Sequence, residues 1–110
     1  MELNRCDIVG INLNPKKGDE IGKIRLCVII SNDDENNILD TIIVMPLSTK
    51  LLDDMYPYRF RLKKRGNLKY DSDILINHIR TISKKRVTTK IAKITDKEYQ
   101  EIIKFLCQNF

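Results

Sequence analysis

Only one histidine, three cysteines and four glycines occur among the 110 residues, and each scarcity closes off a class of chemistry. With His78 alone, a histidine pair dividing acid and base duties is excluded within one subunit. Cys6, Cys27 and Cys107 are odd in number and lack metal-ligand spacing, so neither a disulfide-stapled secreted domain nor a cysteine metal centre is expected. Cys27, between Leu26 and Val28, reads as a buried apolar filler. The glycines form no nucleotide-binding fingerprint. No window approaches the roughly 20 apolar residues that cross a bilayer. The opening MELNRCDIVG has no long apolar region before a processing site, so no membrane association is expected and the expected location is the cytoplasm. There is no internal repeat and no low-complexity linker, and residues 1–110 are expected to form a single domain. A domain of this size buries only roughly two thirds of its unfolded surface, which favours a surface groove or a seam between subunits over an enclosed site.

Charge is present in quantity and is unevenly placed. Residues 1–57 carry 6 basic and 10 acidic side chains, residues 58–93 carry 12 and 2, and residues 94–110 carry 2 and 3. The middle of the chain is therefore a cationic surface whose field recruits a polyanion.

Hydrophobic patterning gives the elements. Asp7–Leu13 is a short apolar run that ends at Asn14-Pro15, where proline begins a turn. Lys16–Lys23 reads as a solvated loop. Ile24–Ser31 is the strongest strand signal and stops at the polar turn cluster Asn32–Asn37. Thr41–Leu47 is a second such run, and Pro46 within it suggests an edge, a bulge or a strand end. Arg59–Lys63 alternates, with Tyr58, Phe60 and Leu62 on one side and Arg59, Arg61 and Lys63 on the other. Ile74–Ile82 reads as a less regular strand, and a last strand is expected near Thr88–Ala92. Beyond Ile94 the period changes. Thr95 and Glu98 make a capping-box pattern, and Tyr99, Ile102, Ile103 and Leu106 share one face, so a helix is expected over Thr95–Gln108. Five or six strands and one helix imply a small, mainly β, curled domain with the helix over one opening or face.

With so little catalytic equipment, any reaction must need little. RNA scission fits, because the 2′-hydroxyl beside the phosphorus is an internal nucleophile; the protein has to orient it, stabilise the phosphoryl oxygens and assist departure of the 5′ oxygen. Arg25 stands where the Gly18–Lys23 loop enters an apolar run, and Ser48 ends the next run, so a guanidinium and a hydroxyl at adjacent strand ends can grip one phosphate. By residue type alone, Arg25 also fits an ordinary surface cation and Ser48-Thr49 a strand-ending pair. His78 lies two residues from Arg80 on one strand side, roughly 6–7 Å away, as a proton carrier, a base-stacking platform or a histidine satisfied within the sheet. Asp7 and Arg80 are candidates for a structural ion pair. Arg59–Lys69 and Lys84–Arg86 are candidate RNA-backbone tracts or hydrated turns, and Tyr56, Tyr58 and Tyr70 near them are candidates for base stacking.

Arg5-Cys6-Asp7-Ile8, Asn14-Pro15, Gly18–Gly22, Arg25, Val28–Asp33, Pro46-Leu47-Ser48 and His78–Ile82 together resemble the MazF/PemK family of bacterial type II toxins, in register from about Arg5 to the terminal helix. The resemblance implies an SH3-like small barrel of CcdB/PemK-like architecture. It implies a homodimeric endoribonuclease that cuts single-stranded RNA, usually mRNA at short motifs, with no metal or other cofactor. The products are a 2′,3′-cyclic phosphate and a 5′-hydroxyl, and a cognate antitoxin covers the RNA groove with an acidic segment. Arg25 matches the essential arginine after the loop, and Ser48 the threonine or serine that holds the scissile phosphate. Asp19, Glu20, Thr49, Arg59, Arg61, Lys63, Asn77, His78 and Arg80 are candidates for supporting or RNA-binding roles. Three departures stand out. Cys6 replaces the glycine of the usual Arg-Gly-Asp opening, which bears more on packing than on chemistry. Leu26 follows Arg25 where proline is common. Asp19 and Asn77 occupy positions where some PemK relatives have histidine and aspartate. A non-catalytic SH3-like nucleic-acid-binding module and a CcdB-like gyrase inhibitor are the alternatives.

Overall fold

The computed structural model describes residues 1–12 and 23–110. Its strands are β1 (Asp7–Asn12), β2 (Ile24–Ile29), β3 (Thr41–Ser48), β4 (Arg59–Leu62), β5 (Ser72–Leu75), β6 (Arg80–Ser83) and β7 (Val87–Lys93). Among the described residues, α1 (Asp33–Ile38) and α2 (Asp96–Cys107) are the α-helices. The strands pair antiparallel in the order β4-β5-β3-β2-β1-β7, with β6 also on β3.

The central strands are apolar at successive positions because both faces of the sheet are packed. Ile8, Val28, Met45, Leu47, Phe60, Leu62 and Ile74 join Ile102 of α2 in one buried cluster. Val9, Ile11, Cys27, Ile29, Ile42, Val44 and Ile82 form a second, with Leu3 and Val87 packed onto it. α2 starts as its pattern predicts: Thr95 Oγ1 accepts the Glu98 N–H, and the Glu98 carboxylate accepts the Thr95 N–H.

The expectation of a closed SH3-like barrel is overturned. Among the described residues the sheet is open, and the path ends at β4 on one side and β7 on the other with no ladder between them. What approaches β7 is the turn after β4, where the Asn67 N–H donates to the Ile91 carbonyl at 3.1 Å and Gly66 adopts φ 51°. β4 is only four residues long and its turn docks by one backbone hydrogen bond, too little to zip the edges together. Curl comes instead from two register shifts between β1 and β7. Gly10 lies at the second shift, where a Cβ would stand 2.9 Å from Thr88 Oγ1.

Three local expectations also change. Asn32–Asn37 is not a plain turn: Asn32 caps α1, Asp33, Asp34 and Glu35 fill its first turn, and buried Asn36 donates to the Ser31 carbonyl. Residues 74–82 are not one strand, because a 3₁₀ turn at Ile76–His78 separates β5 from β6. Both flank the same edge of β3, β6 along Thr41–Val44 and β5 along Leu47-Ser48. The Ile43 amide and carbonyl bond toward the β2 side, so alternation turns the Pro46 nitrogen toward the interrupted edge. Proline is tolerated in this central strand because no donor is needed there. Finally, Asp7 does not pair with Arg80. Its buried carboxylate takes Lys90 at 3.3 Å and Lys93 at 3.9 Å, both brought by β7. Among the described residues no helix is long and apolar enough to cross a membrane.

Candidate active site

The β2–β3 ladder pairs Ile29 with Val44, Val28 with Met45 and Cys27 with Pro46, and stops there. Continued in the same register, Arg25 would stand across from Ser48. The strands part instead, and the gap is a cleft of about 230 Å³ lined by Arg25, Leu26, Leu47, Ser48 and Thr49. Arg25 and Ser48, far apart in sequence, thus share one opening.

The Ser48 hydroxyl oxygen accepts the Lys50 N–H at 3.2 Å, while its own hydrogen has only the Lys50 carbonyl, 3.5 Å away. That is the long limit of a hydrogen bond, so an anionic oxygen in the cleft can capture the donor. Arg25 is half-buried, and its side chain has no hydrogen bond or ion pair among the described residues. A second cleft of about 310 Å³ is bounded by Arg25, Pro46, His78 and Arg80. Arg80, on β6, pairs with Val44 of β3 and, like Arg25, has no ion-pair partner among the described residues. Burial pushes the Cys27 thiol up to about 11, against the pull of Arg25 and Arg80. Both guanidiniums therefore act on one buried sulfur, and that sulfur stays a protonated, inert filler.

The other candidate residues fall into separate groups. Thr49 is exposed at the mouth of the Arg25–Ser48 cleft. Asn77 and His78 lie on the 3₁₀ turn rather than on a strand, and both are exposed. Arg59 and Arg61 project from β4 onto the buried Asp73 carboxylate at 3.1 and 2.6 Å, and Arg61 also meets Asp53 at 2.9 Å. These arginines hold structure together: Arg59 further donates to the Lys50 carbonyl, and Asp73 accepts the Leu52 N–H. Burial works to raise the Asp73 carboxyl, but hydrogen bonds from Arg61, the Leu52 amide and Arg59 outweigh it and hold the group below the usual carboxylate range. Lys63 is exposed beyond β4. Asp19 and Glu20 lie outside the described residues, as does most of the Gly18–Lys23 loop.

Asp73 is the residue that sequence reasoning missed. Its signal was there: it is one of two acids among the 12 cations of residues 58–93, directly before an apolar run. Among the described residues no group of three or more His, Cys, Asp or Glu side chains is placed to hold a metal ion.

Comparison with known proteins identifies the family. Residues 4–110 match the family model for PemK-like, MazF-like toxins of type II toxin-antitoxin systems. Endoribonuclease MazF of Staphylococcus saprophyticus subsp. saprophyticus is 34% identical over 101 residues, covering 91% of this chain and 84% of that protein. Among solved structures, a chain of MazE-MazF from Deinococcus radiodurans superposes with a TM-score of 0.80 at 18% identity, covering 99% of this chain and 96% of that one. A mycobacterial endoribonuclease in complex with its cognate antitoxin gives 0.73 at 16% identity, covering 97% and 91%. The match over nearly the whole length means that the chain belongs to the PemK-like, MazF-like toxins of type II toxin-antitoxin systems and is an endoribonuclease.

Proposed function

We propose that the chain cuts single-stranded RNA, mRNA included, at short motifs and without a metal, using Arg25 and Ser48. The observation that carries this reading is the cleft those two residues share at the parted ends of β2 and β3. A phosphodiester seated there puts its non-bridging oxygens within reach of a charged fork and a weakly held hydroxyl hydrogen. The 2′ oxygen bonds to phosphorus as the bond to the 5′ oxygen breaks. The 2′-hydroxyl loses its proton and the 5′ oxygen gains one, leaving a 2′,3′-cyclic phosphate and a 5′-hydroxyl. Arg25 stabilises charge on the phosphoryl oxygens and donates to the departing oxygen; its permanent charge makes it a poor base. Arg80 and His78, across the adjoining cleft, hold the neighbouring part of the strand.

The working form is a homodimer, in which two shallow cationic faces flank one groove and engage a longer RNA than one copy can hold. A cognate antitoxin regulates it by covering that groove with an acidic segment, a reading supported by the antitoxin complex of the mycobacterial relative. The deciding experiment is incubation with a long RNA in the presence of a chelator, followed by mapping of cut positions and end chemistry. Cyclic phosphate ends, and no cut where the 2′-hydroxyl is replaced by hydrogen, are expected. Cleavage that stops in chelator, or that survives loss of the 2′-hydroxyl, refutes the mechanism.

A further inference from the structure

The cationic stretch 58–93 is split by the fold into cations already committed to carboxylates and cations that are not. Arg59 and Arg61 are held by Asp73, and Arg65 forms a two-pronged pair with Glu98. Lys64 and Lys69 have no ion-pair partner among the described residues. The aromatics divide the same way. Tyr56 and Tyr70 are similarly exposed, at 62% and 67%, but Tyr56 packs edge-on against Phe105 with ring centroids 4.7 Å apart, whereas Tyr70 makes no ring contact among the described residues.

Lys64, Lys69 and Tyr70 line one open cleft of about 420 Å³ together with Thr49, Leu51 and Asp71. The Asp71 carboxylate accepts the Lys64 backbone N–H at 2.9 Å, which ties the two ends of the β4–β5 turn together. Thr49 also borders the Arg25–Ser48 cleft, so the two openings are neighbours on one surface. An unpacked aromatic ring and an apolar side chain, beside two ammonium groups that outnumber the one carboxylate, Asp71, in the cleft, match a nucleotide with a π-face and a phosphate.

We propose that this cleft is a subsite for a nucleotide flanking the scissile phosphate, its base stacked on Tyr70 and its phosphate met by Lys64 and Lys69. The proposal rests on the assignment of the Arg25–Ser48 cleft as the place of cutting. Its occupant is single-stranded RNA, because in a duplex the base faces are stacked on each other.

The test measures binding, so it does not depend on cleavage. The probe is a short single-stranded 2′-fluoro RNA, which cannot be cut, together with versions in which one base at a time is removed. Tyr70→Ala is expected to weaken binding about tenfold, within the range for loss of one stacked base, while Tyr70→Phe binds like the unmodified protein. At one position, removal of the base is expected to weaken binding to the unmodified protein but not to Tyr70→Ala. Lys64→Ala with Lys69→Ala should reduce the steepness of the log affinity against log salt plot by about 1.4. Unchanged affinity in Tyr70→Ala, or an equal response of both proteins at every base-deleted position, overturns the subsite. Failure of Arg25→Ala to slow cutting overturns the active-site reading instead, and leaves these binding results to stand separately.

Discussion

At the residue scale, the proposed roles of Arg25 and Ser48 make different demands on the same phosphate. Arg25→Ala removes charge where it develops, and the expected loss of cleavage rate is about a hundred- to a thousand-fold, as for other donors aimed at a transition-state oxyanion. Arg25→Lys keeps the charge but not the planar fork, so most of the loss should remain. Near-normal rates in both variants would remove Arg25 from the chemistry. Ser48→Ala deletes one hydrogen bond to a charged group, and turnover should fall about tenfold with RNA affinity nearly intact; an unchanged rate excludes it. Cys6 poses a question of stability instead. It adopts φ 80° while its amide donates to the Ile29 carbonyl and its carbonyl accepts the Ile94 amide, so the backbone is fixed in the left-handed region. That geometry accounts for the glycine of the usual Arg-Gly-Asp opening. Cys6→Gly and Cys6→Ala both lose the buried thiol, but only glycine is unstrained there. Thermal or urea unfolding should find the glycine variant more stable than the alanine variant by about 1 kcal/mol, and equal stabilities would show that the site carries no strain.

At the element scale, Asp73 ties together the ends of β3, β4 and β5. It is paired with Ser48 on β3 and Arg61 on β4, and it accepts from Arg59, Arg61 and the Leu52 amide. The folded carboxyl titrates below its unfolded counterpart, so its contribution is present above about pH 4 and is lost as pH falls through the folded value. Asp73→Asn should lower unfolding free energy near neutrality by about 3 kcal/mol, and the gap from the unmodified protein should close in acid. A pH-independent gap would mean that packing, not charge, links these strands. This network marks the limit of what periodicity conveys. Runs of branched residues, the alternation of Arg59–Lys63 and the Thr95–Glu98 cap were enough to place β2, β3, β4, β7 and α2. The break at Ile76–His78 was hidden because apolar residues continue through it, with Ile74 and Leu75 before, Ile76 within and Ile79 and Ile82 after. α1 was hidden because its polar residues suit a turn equally well. The meeting of Arg25 with Ser48 followed from adjacent strand ends, whereas the capture of Arg59 and Arg61 depends on a cross-strand partner that no local pattern reveals.

For the whole molecule, the relevant charge is the part left uncompensated after folding. The sequence places 12 cations in residues 58–93, but Arg59 and Arg61 are engaged by Asp73, Arg65 by Glu98, and Lys90 and Lys93 by Asp7. Arg80 has no such partner among the described residues and lines a cleft with Arg25 and His78. A phosphate bound there displaces counterions, whereas a cation already neutralised by a carboxylate contributes little to that release. Arg80→Ala should therefore flatten the dependence of log affinity on log salt by about 0.7 for a single strand, with stability near that of the unmodified protein because the side chain is exposed. Arg61→Ala removes the same formal charge but should leave that dependence nearly unchanged and instead lower stability, since it strips a partner from buried Asp73. Titration of a non-cleavable single-stranded RNA at several salt concentrations separates the two outcomes. Equal flattening by both variants would mean that RNA responds to the total positive charge of the surface, and that the division into structural and RNA-facing cations is mistaken.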